Sequence, residues 1–212
     1  MNSAFGFKGV VLLGVPGAGK GSQSRLLADR FGLGVISTGD LLRKRQQEDV
    51  GNLRLKADMN SGQLISDSFV FDLVLAELKK SEYQNGYVLD GVPRTLEQAE
   101  MLASHGVAVD VVIYLDASPE LVVARILSRR ICCTCGAVYN VGEHSICSRC
   151  DGALVRREDD TEEVVMGRLN VYREKTELLT TYYERKGVLR RVDGNQPISQ
   201  VAAAIFDVLG CL

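Results

Sequence analysis

The chain lacks any apolar run long enough to cross a membrane. Its longest, such as Val10–Leu13 and Val111–Leu115, fall far short of the ~20 residues that a spanning helix needs. Residues 1–9 lack the basic-then-apolar order of a secretory leader. There is no excess of positive charge: the formal net charge is -2, so bulk attraction to nucleic acid is not expected. Internal repeats and low-complexity tracts are absent. The cysteines are not spread as in a secreted disulfide scaffold. Cys132, Cys133, Cys135, Cys147 and Cys150 crowd one short stretch, and Cys211 stands near the end. Clustering of that kind points to a metal rather than to bridges. These absences together lead us to expect a cytoplasmic protein with neither a membrane nor a nucleic acid as partner.

What is present is an ordinary globular mix, 46% apolar and 25% charged over 212 residues. That length suits one large domain carrying small insertions, with a core that needs no disulfides. Short β-branched runs predict strands at Val10–Leu13, Val35–Ser37, Tyr87–Leu89, Val111–Leu115 and Val188–Val192. The first four are nearly all apolar, as in strands covered on both faces. Helical patterns lie between them, at Lys20–Phe31, Ser68–Lys80, Thr95–Ser104, Pro119–Arg129, Glu162–Lys186 and Ile198–Leu209. Strand–helix alternation predicts an α/β fold: a parallel five-stranded sheet flanked by helices, with right-handed crossovers. Two segments, Thr38–Ser66 and Arg130–Asp160, interrupt the rhythm and read as mobile insertions on a common core.

Residues 14–22 read Gly-Val-Pro-Gly-Ala-Gly-Lys-Gly-Ser, directly after the first strand. Gly14, Gly19 and Lys20 match the glycine-lysine frame of a phosphate loop. Backbone N–H groups can wrap a phosphate only where side chains do not obstruct them, so glycines dominate. The following helix points its positive end at the anion, and Lys20 adds a full charge. Gly14, Gly17, Ala18, Gly19, Lys20, Gly21 and Ser22 are therefore the expected donor-phosphate cradle. Gly21 stands where phosphate loops usually carry Ser or Thr, so the residue after the lysine cannot ligate a metal.

Cys132-x-x-Cys135 and Cys147-x-x-Cys150 form a doubled knuckle spacing that suits one structural Zn2+ held by four thiolates. Cys133 falls between the first pair and reads as a spare. His144, in the connector, reads as a surface histidine.

The loop from Gly14 to Gln23 resembles that of the adenylate kinases. Three further signatures follow in order. Ile36 to Arg43 resembles the start of that family's AMP-binding segment. Asp90-Gly91-Val92-Pro93-Arg94-Thr95 resembles its Asp-Gly-Phe-Pro-Arg-Thr motif, with Val92 in place of Phe. Arg157-Glu158-Asp159-Asp160 with Arg168 resembles the end of its lid and the helix beyond. The resemblance covers nearly the whole chain, and zinc-bearing lids occur in a subset of the family.

The resemblance implies a P-loop NTPase fold whose core is 1–37, 67–129 and 161–212. It implies an AMP-binding insertion at 38–66 and a zinc-binding lid at 130–160. It implies transfer of the terminal phosphate of ATP to AMP, with Mg2+ accompanying the ATP, by a monomer. Phosphoryl transfer of this kind is mostly positioning and charge neutralisation, and the planar fork of arginine suits phosphate. By resemblance Arg43 and Arg94 hold the AMP phosphate, and Arg129, Arg157 and Arg168 neutralise the transferring group. Arg125 lies on the ATP adenine. Gln98 reads the AMP base, with Thr38 close by. Asp90 orients the magnesium through water, as expected of a carboxylate at a strand C-terminus. Two other readings stay open on the sequence alone: a kinase acting on UMP or CMP, and a zinc-ribbon nucleic-acid-binding ATPase. The second is weakened by the cysteine region, where Tyr139 is the only aromatic side chain for base stacking.

Overall fold

The computed structural model describes residues 6–48, 65–140, 146–157 and 159–210. Residues 49–64 of the expected AMP insertion, His144, Glu158 and Cys211 lie outside the described residues.

Five strands form the main sheet: β1 (Gly9–Leu13), β2 (Gly34–Ser37), β3 (Tyr87–Asp90), β4 (Val111–Asp116) and β8 (Leu189–Asp193). Their order is β2-β3-β1-β4-β8 and every pairing is parallel. Alternate residues of the central strands β1, β3 and β4 feed two separate cores. Val10 and Leu12 of β1, with Val111, Ile113 and Leu115 of β4, pack against one layer of helices. Val11 and Leu13, with Val112 and Tyr114, pack against the other. Double coverage explains why these strands are apolar without alternation.

The first layer holds α1 (Lys20–Phe31), α5 (Pro119–Ser128), α6 (Glu162–Val171) and α8 (Ile198–Gly210). The second holds α3 (Asp67–Leu78), α4 (Leu96–Ser104) and α7 (Leu178–Arg185). Helix α2 (Thr38–Glu48) leaves the end of β2 and begins the first insertion. The second insertion carries its own antiparallel sheet, ordered β6-β5-β7: β5 (Arg129–Cys132), β6 (Val138–Asn140) and β7 (Leu154–Val155).

One expected element is broken. The periodicity predicts a continuous helix over Glu162–Lys186. The structure instead divides it into α6, a π-helical turn at Tyr172–Thr176, and α7. The Glu177 N–H bonds to the Tyr172 carbonyl across the wider turn, at 3.0 Å. There Thr176 Oγ1 donates to the Arg94 carbonyl at 2.8 Å. A contact with a residue so distant in sequence leaves no trace in local periodicity, and π turns of this kind concentrate at functional sites.

Candidate active site

The strands of the main sheet open at their C-terminal ends onto one cleft of about 1010 Å³. Among the described residues, eight cationic side chains line it against three carboxylates. The protein as a whole carries a formal charge of -2, so the positive charge is gathered here. Such a wall attracts and holds polyanions.

The loop between β1 and α1 forms the floor. Gly14 has φ +140° and Gly17 has φ +87°. A Cβ on Gly14 would stand 2.6 Å from the Leu115 carbonyl oxygen, and one on Gly17 would stand 2.8 Å from Ile126 Cγ1. No side chain fits at either position, so the backbone itself faces the cleft. Gly19 then starts α1, whose first N–H groups have no intrahelical partner. Ala18, Lys20, Gly21 and Ser22 complete the lining of this end.

Lys20 donates from Nζ to the carbonyls of Gly14 at 2.7 Å and Val15 at 3.0 Å. Its pKa is lowered to about 8, chiefly by burial; Asp90 opposes the fall, while Arg94 and Arg129 add to it. Asp90 ends β3. Its carboxyl is held above the usual carboxylate range by burial, against the pull of Lys20 and Arg94. A Cβ on Gly21 would lie 3.3 Å from Asp90 Oδ2, so the carboxylate sits next to the phosphate loop. An oxygen ligand beside a phosphate cradle fits the needs of a magnesium ion.

The arginines come from both insertions and from the core. Among the described residues, three of the seven arginines that line the cleft pair with carboxylates. Arg43 bonds Asp40 at 2.6 Å. Arg129 Nε bonds Asp160 Oδ2 at 2.8 Å, and Arg168 bonds Asp159. Asp160 is fully buried, so its charge is bound to its partners. Arg94 donates from Nε to the Gly91 carbonyl at 2.9 Å and is itself deeply desolvated. Arg157 differs: its buried Nε has no hydrogen-bond partner. Burial pushes its pKa down to about 10, with Arg43 and Arg129 adding to the fall. It is a desolvated cation with bonding capacity to spare, which an incoming phosphate can use.

Arg125 lies at the other side of the phosphate loop, against the turn between β8 and α8. It donates to the carbonyls of Gly194 at 2.8 Å and Gln196 at 3.3 Å. Thr38 Oγ1 donates to the Gly91 carbonyl at 3.0 Å. Gln98 is buried at the first turn of α4. Its Oε1 accepts from the Arg94 backbone N–H, and its Nε2 donates to Asp67 Oδ1, both at 2.7 Å. Every residue that the sequence assigned to nucleotide binding lines this one cleft. Sequence reasoning assigned no role to Asp159 or Asp160, although the acidic pair next to Arg157 was a visible signal. It missed Asp67 and Thr176, for which no local signal exists.

In the second insertion, the Sγ atoms of Cys132, Cys135, Cys147 and Cys150 all lie within 4.8 Å of one another. The Thr134 and Cys135 N–H groups donate to Cys132 Sγ at 3.4 and 3.5 Å, and Arg149 N–H donates to Cys147 Sγ at 3.4 Å. Donors aimed at sulfur stabilise thiolates. The Cys147 thiol is drawn down to about 6, first by the Tyr139 hydroxyl at 3.3 Å. Four convergent sulfurs with such support fit a closed zinc site. Cys133 is exposed and stands outside the cluster.

The adenylate kinase family model matches residues 12–188. An adenylate kinase of Lachnospira eligens is 41% identical over 212 residues, covering 95% of this chain and 99% of that protein. One from Magnetococcus marinus is also 41% identical, with the same coverage. One from Symbiobacterium thermophilum is 42% identical, over 94% of this chain and 97% of its own length. A phosphate loop, an arginine-lined cleft between two insertions, and a match running almost end to end all agree: the chain belongs to the adenylate kinase family.

Proposed function

We propose that this protein reversibly transfers the terminal phosphate of ATP to AMP, giving two ADP, with Mg2+ accompanying the donor. The observation that carries the reading is the layout of the cleft. A phosphate cradle with Arg125 lies at one side, Gln98 and Thr38 lie at the other, and six cations stand around the space they share.

The attacking AMP phosphate oxygen is already an anion, so no strong base is required. The obstacle is repulsion between phosphates, and fixed cations lower it. Lys20 turns from the Gly14 and Val15 carbonyls to the donor phosphates. Arg43 and Arg94 hold the acceptor phosphate. Arg129, Arg157 and Arg168 neutralise the charge on the group in transit. Asp159 and Asp160 keep Arg129 and Arg168 oriented before substrate arrives, which lowers the ordering cost at the moment of binding. Asp90 would hold the magnesium through water, and the ion would supply further neutralisation of phosphate charge. Cys132, Cys135, Cys147 and Cys150 would hold Zn2+, which staples the lid and touches no substrate.

One chain supplies every residue of the site, so a monomer suffices. Clustered free thiols suit a reducing cytosol. A coupled assay with AMP, UMP, CMP and GMP as acceptors tests the reading. AMP should be used best, and Gln98→Ala should raise its KM more than it raises that of ATP. Equal or better use of UMP or CMP by the wild type would move the protein to another nucleoside monophosphate kinase.

A further inference from the structure

A primary amide can read a base edge in two ways. Rotated by half a turn, it exchanges its donor and its acceptor. Adenine presents an amino donor at position 6 and an acceptor at N1. Hypoxanthine and guanine present the reverse, a carbonyl acceptor at position 6 and a donor N1–H. An unrestrained glutamine would serve either pattern, so something must fix its rotation if the site is to choose.

The structure supplies that restraint from two sides. The Arg94 backbone N–H can only donate, and it meets Gln98 Oε1 at 2.7 Å. The Asp67 carboxylate can only accept when ionised, and its Oδ1 meets Gln98 Nε2 at 2.7 Å. Rotation of the amide would set N–H against N–H at Arg94 and oxygen against oxygen at Asp67. Asp67 is itself held: its Oδ2 accepts from Thr95 Oγ1 at 2.8 Å, and Thr95 Oγ1 accepts from the Gln98 N–H at 3.1 Å. The chain closes on Gln98, Asp67 and Thr95, and Gln98 is 1% exposed, so water cannot take the place of either partner. The two bonds use one lone pair and one N–H of the amide. One acceptor and one donor remain for a base.

We propose that Asp67 is a specificity-setting residue of the acceptor site. It acts through Gln98, by clamping the amide in the rotation that matches adenine and mismatches hypoxanthine and guanine. The proposal rests on the reading of Gln98 as the contact to the acceptor base. Asp67 is a positioning residue and touches no substrate. A mismatched edge in a buried site leaves two polar groups facing like partners, which is the condition for strong rejection.

The test uses IMP, whose hypoxanthine differs from adenine only along the edge in question. Steady-state kinetics with AMP and IMP are measured for the wild type, Asp67→Asn, Asp67→Ser and Gln98→Ala, with melting curves to establish folding. Asparagine can donate or accept, and serine is too short to hold the amide, so each variant removes one of the two restraints and leaves the Arg94 N–H alone against rotation. The wild type should prefer AMP to IMP by about a hundredfold or more in kcat/KM. In either Asp67 variant that preference should fall about tenfold, the size of one lost charge-assisted hydrogen bond. Part of the fall should be a true gain with IMP, expressed in KM. A general loosening of the fold would lower both activities and would not improve the poorer one. A wild type that uses IMP as well as AMP overturns the proposal without any variant. A preference unchanged in a folded Asp67 variant overturns the clamp alone, provided Gln98→Ala collapses it. If Gln98→Ala leaves the KM for AMP unchanged, Gln98 does not meet the base, and both the clamp and the reading beneath it fail.

Discussion

Nucleotide binding should draw a proton from solvent, and Lys20 should be the group that takes it. In the empty cleft its pKa lies at about 8, lowered by burial and by Arg94 and Arg129. Donor phosphates placed against Nζ favour the charged form and should carry the pKa back toward its ordinary 10.5. At about pH 8.5, roughly three-quarters of free enzyme molecules carry a neutral Lys20, so binding should take up about 0.7 proton. At about pH 7 the uptake should drop to about 0.1. The sign follows from the direction of the shift: affinity is full below about pH 8 and weakens as the pH rises above it. A complete return to the ordinary value would be worth at most about 3 kcal/mol, and solvent in the open cleft reduces that figure. Calorimetric titration with ATP, in buffers of different ionisation enthalpy, counts the protons directly. The Lys20→Met variant should keep its fold and lose the uptake. No uptake by the wild type at about pH 8.5, or an equal uptake by the variant, would refute the argument.

Elemental analysis should find one zinc per chain, retained in Cys133→Ser because that side chain stands outside the sulfur cluster. Removing the metal with a chelator should lower the melting temperature more than it lowers activity in the cold, since the cluster ties the second insertion together and lines no part of the cleft. Both insertions should close over the site when it is filled, because each brings arginines that phosphate can bridge. Labels placed in the lid and on α2 should approach each other on addition of two adenosines joined by a phosphate chain. Unchanged distances would refute closure while leaving the activity standing.

The parts of the site that were legible in the sequence are those whose residues are neighbours in the chain. The phosphate loop had to be glycine-rich because its backbone meets the Leu115 carbonyl and Ile126 at distances no side chain allows. That demand writes itself into consecutive residues. The paired cysteine knuckles are local for the same reason, since each donates two sulfurs from one tight turn. The three central strands, β1, β3 and β4, could be read because burial on both faces forces continuous apolar runs.

The sequence by itself thus determined the fold class, the phosphate end of the site and the sulfur cluster, all of them specified by short-range constraint. Only the tertiary structure decided how the charges are answered. Asp160 reaches Arg129 across 31 residues, and Asp67 reaches Gln98 across the same separation. Thr176 reaches the Arg94 carbonyl across 82 residues, at the turn where a helix expected to be continuous becomes π-helical. These contacts exist because the parallel sheet brings its loops together at one edge. Buried donors, acceptors and charges meeting there must find partners, and nothing in the local pattern of either partner names the other.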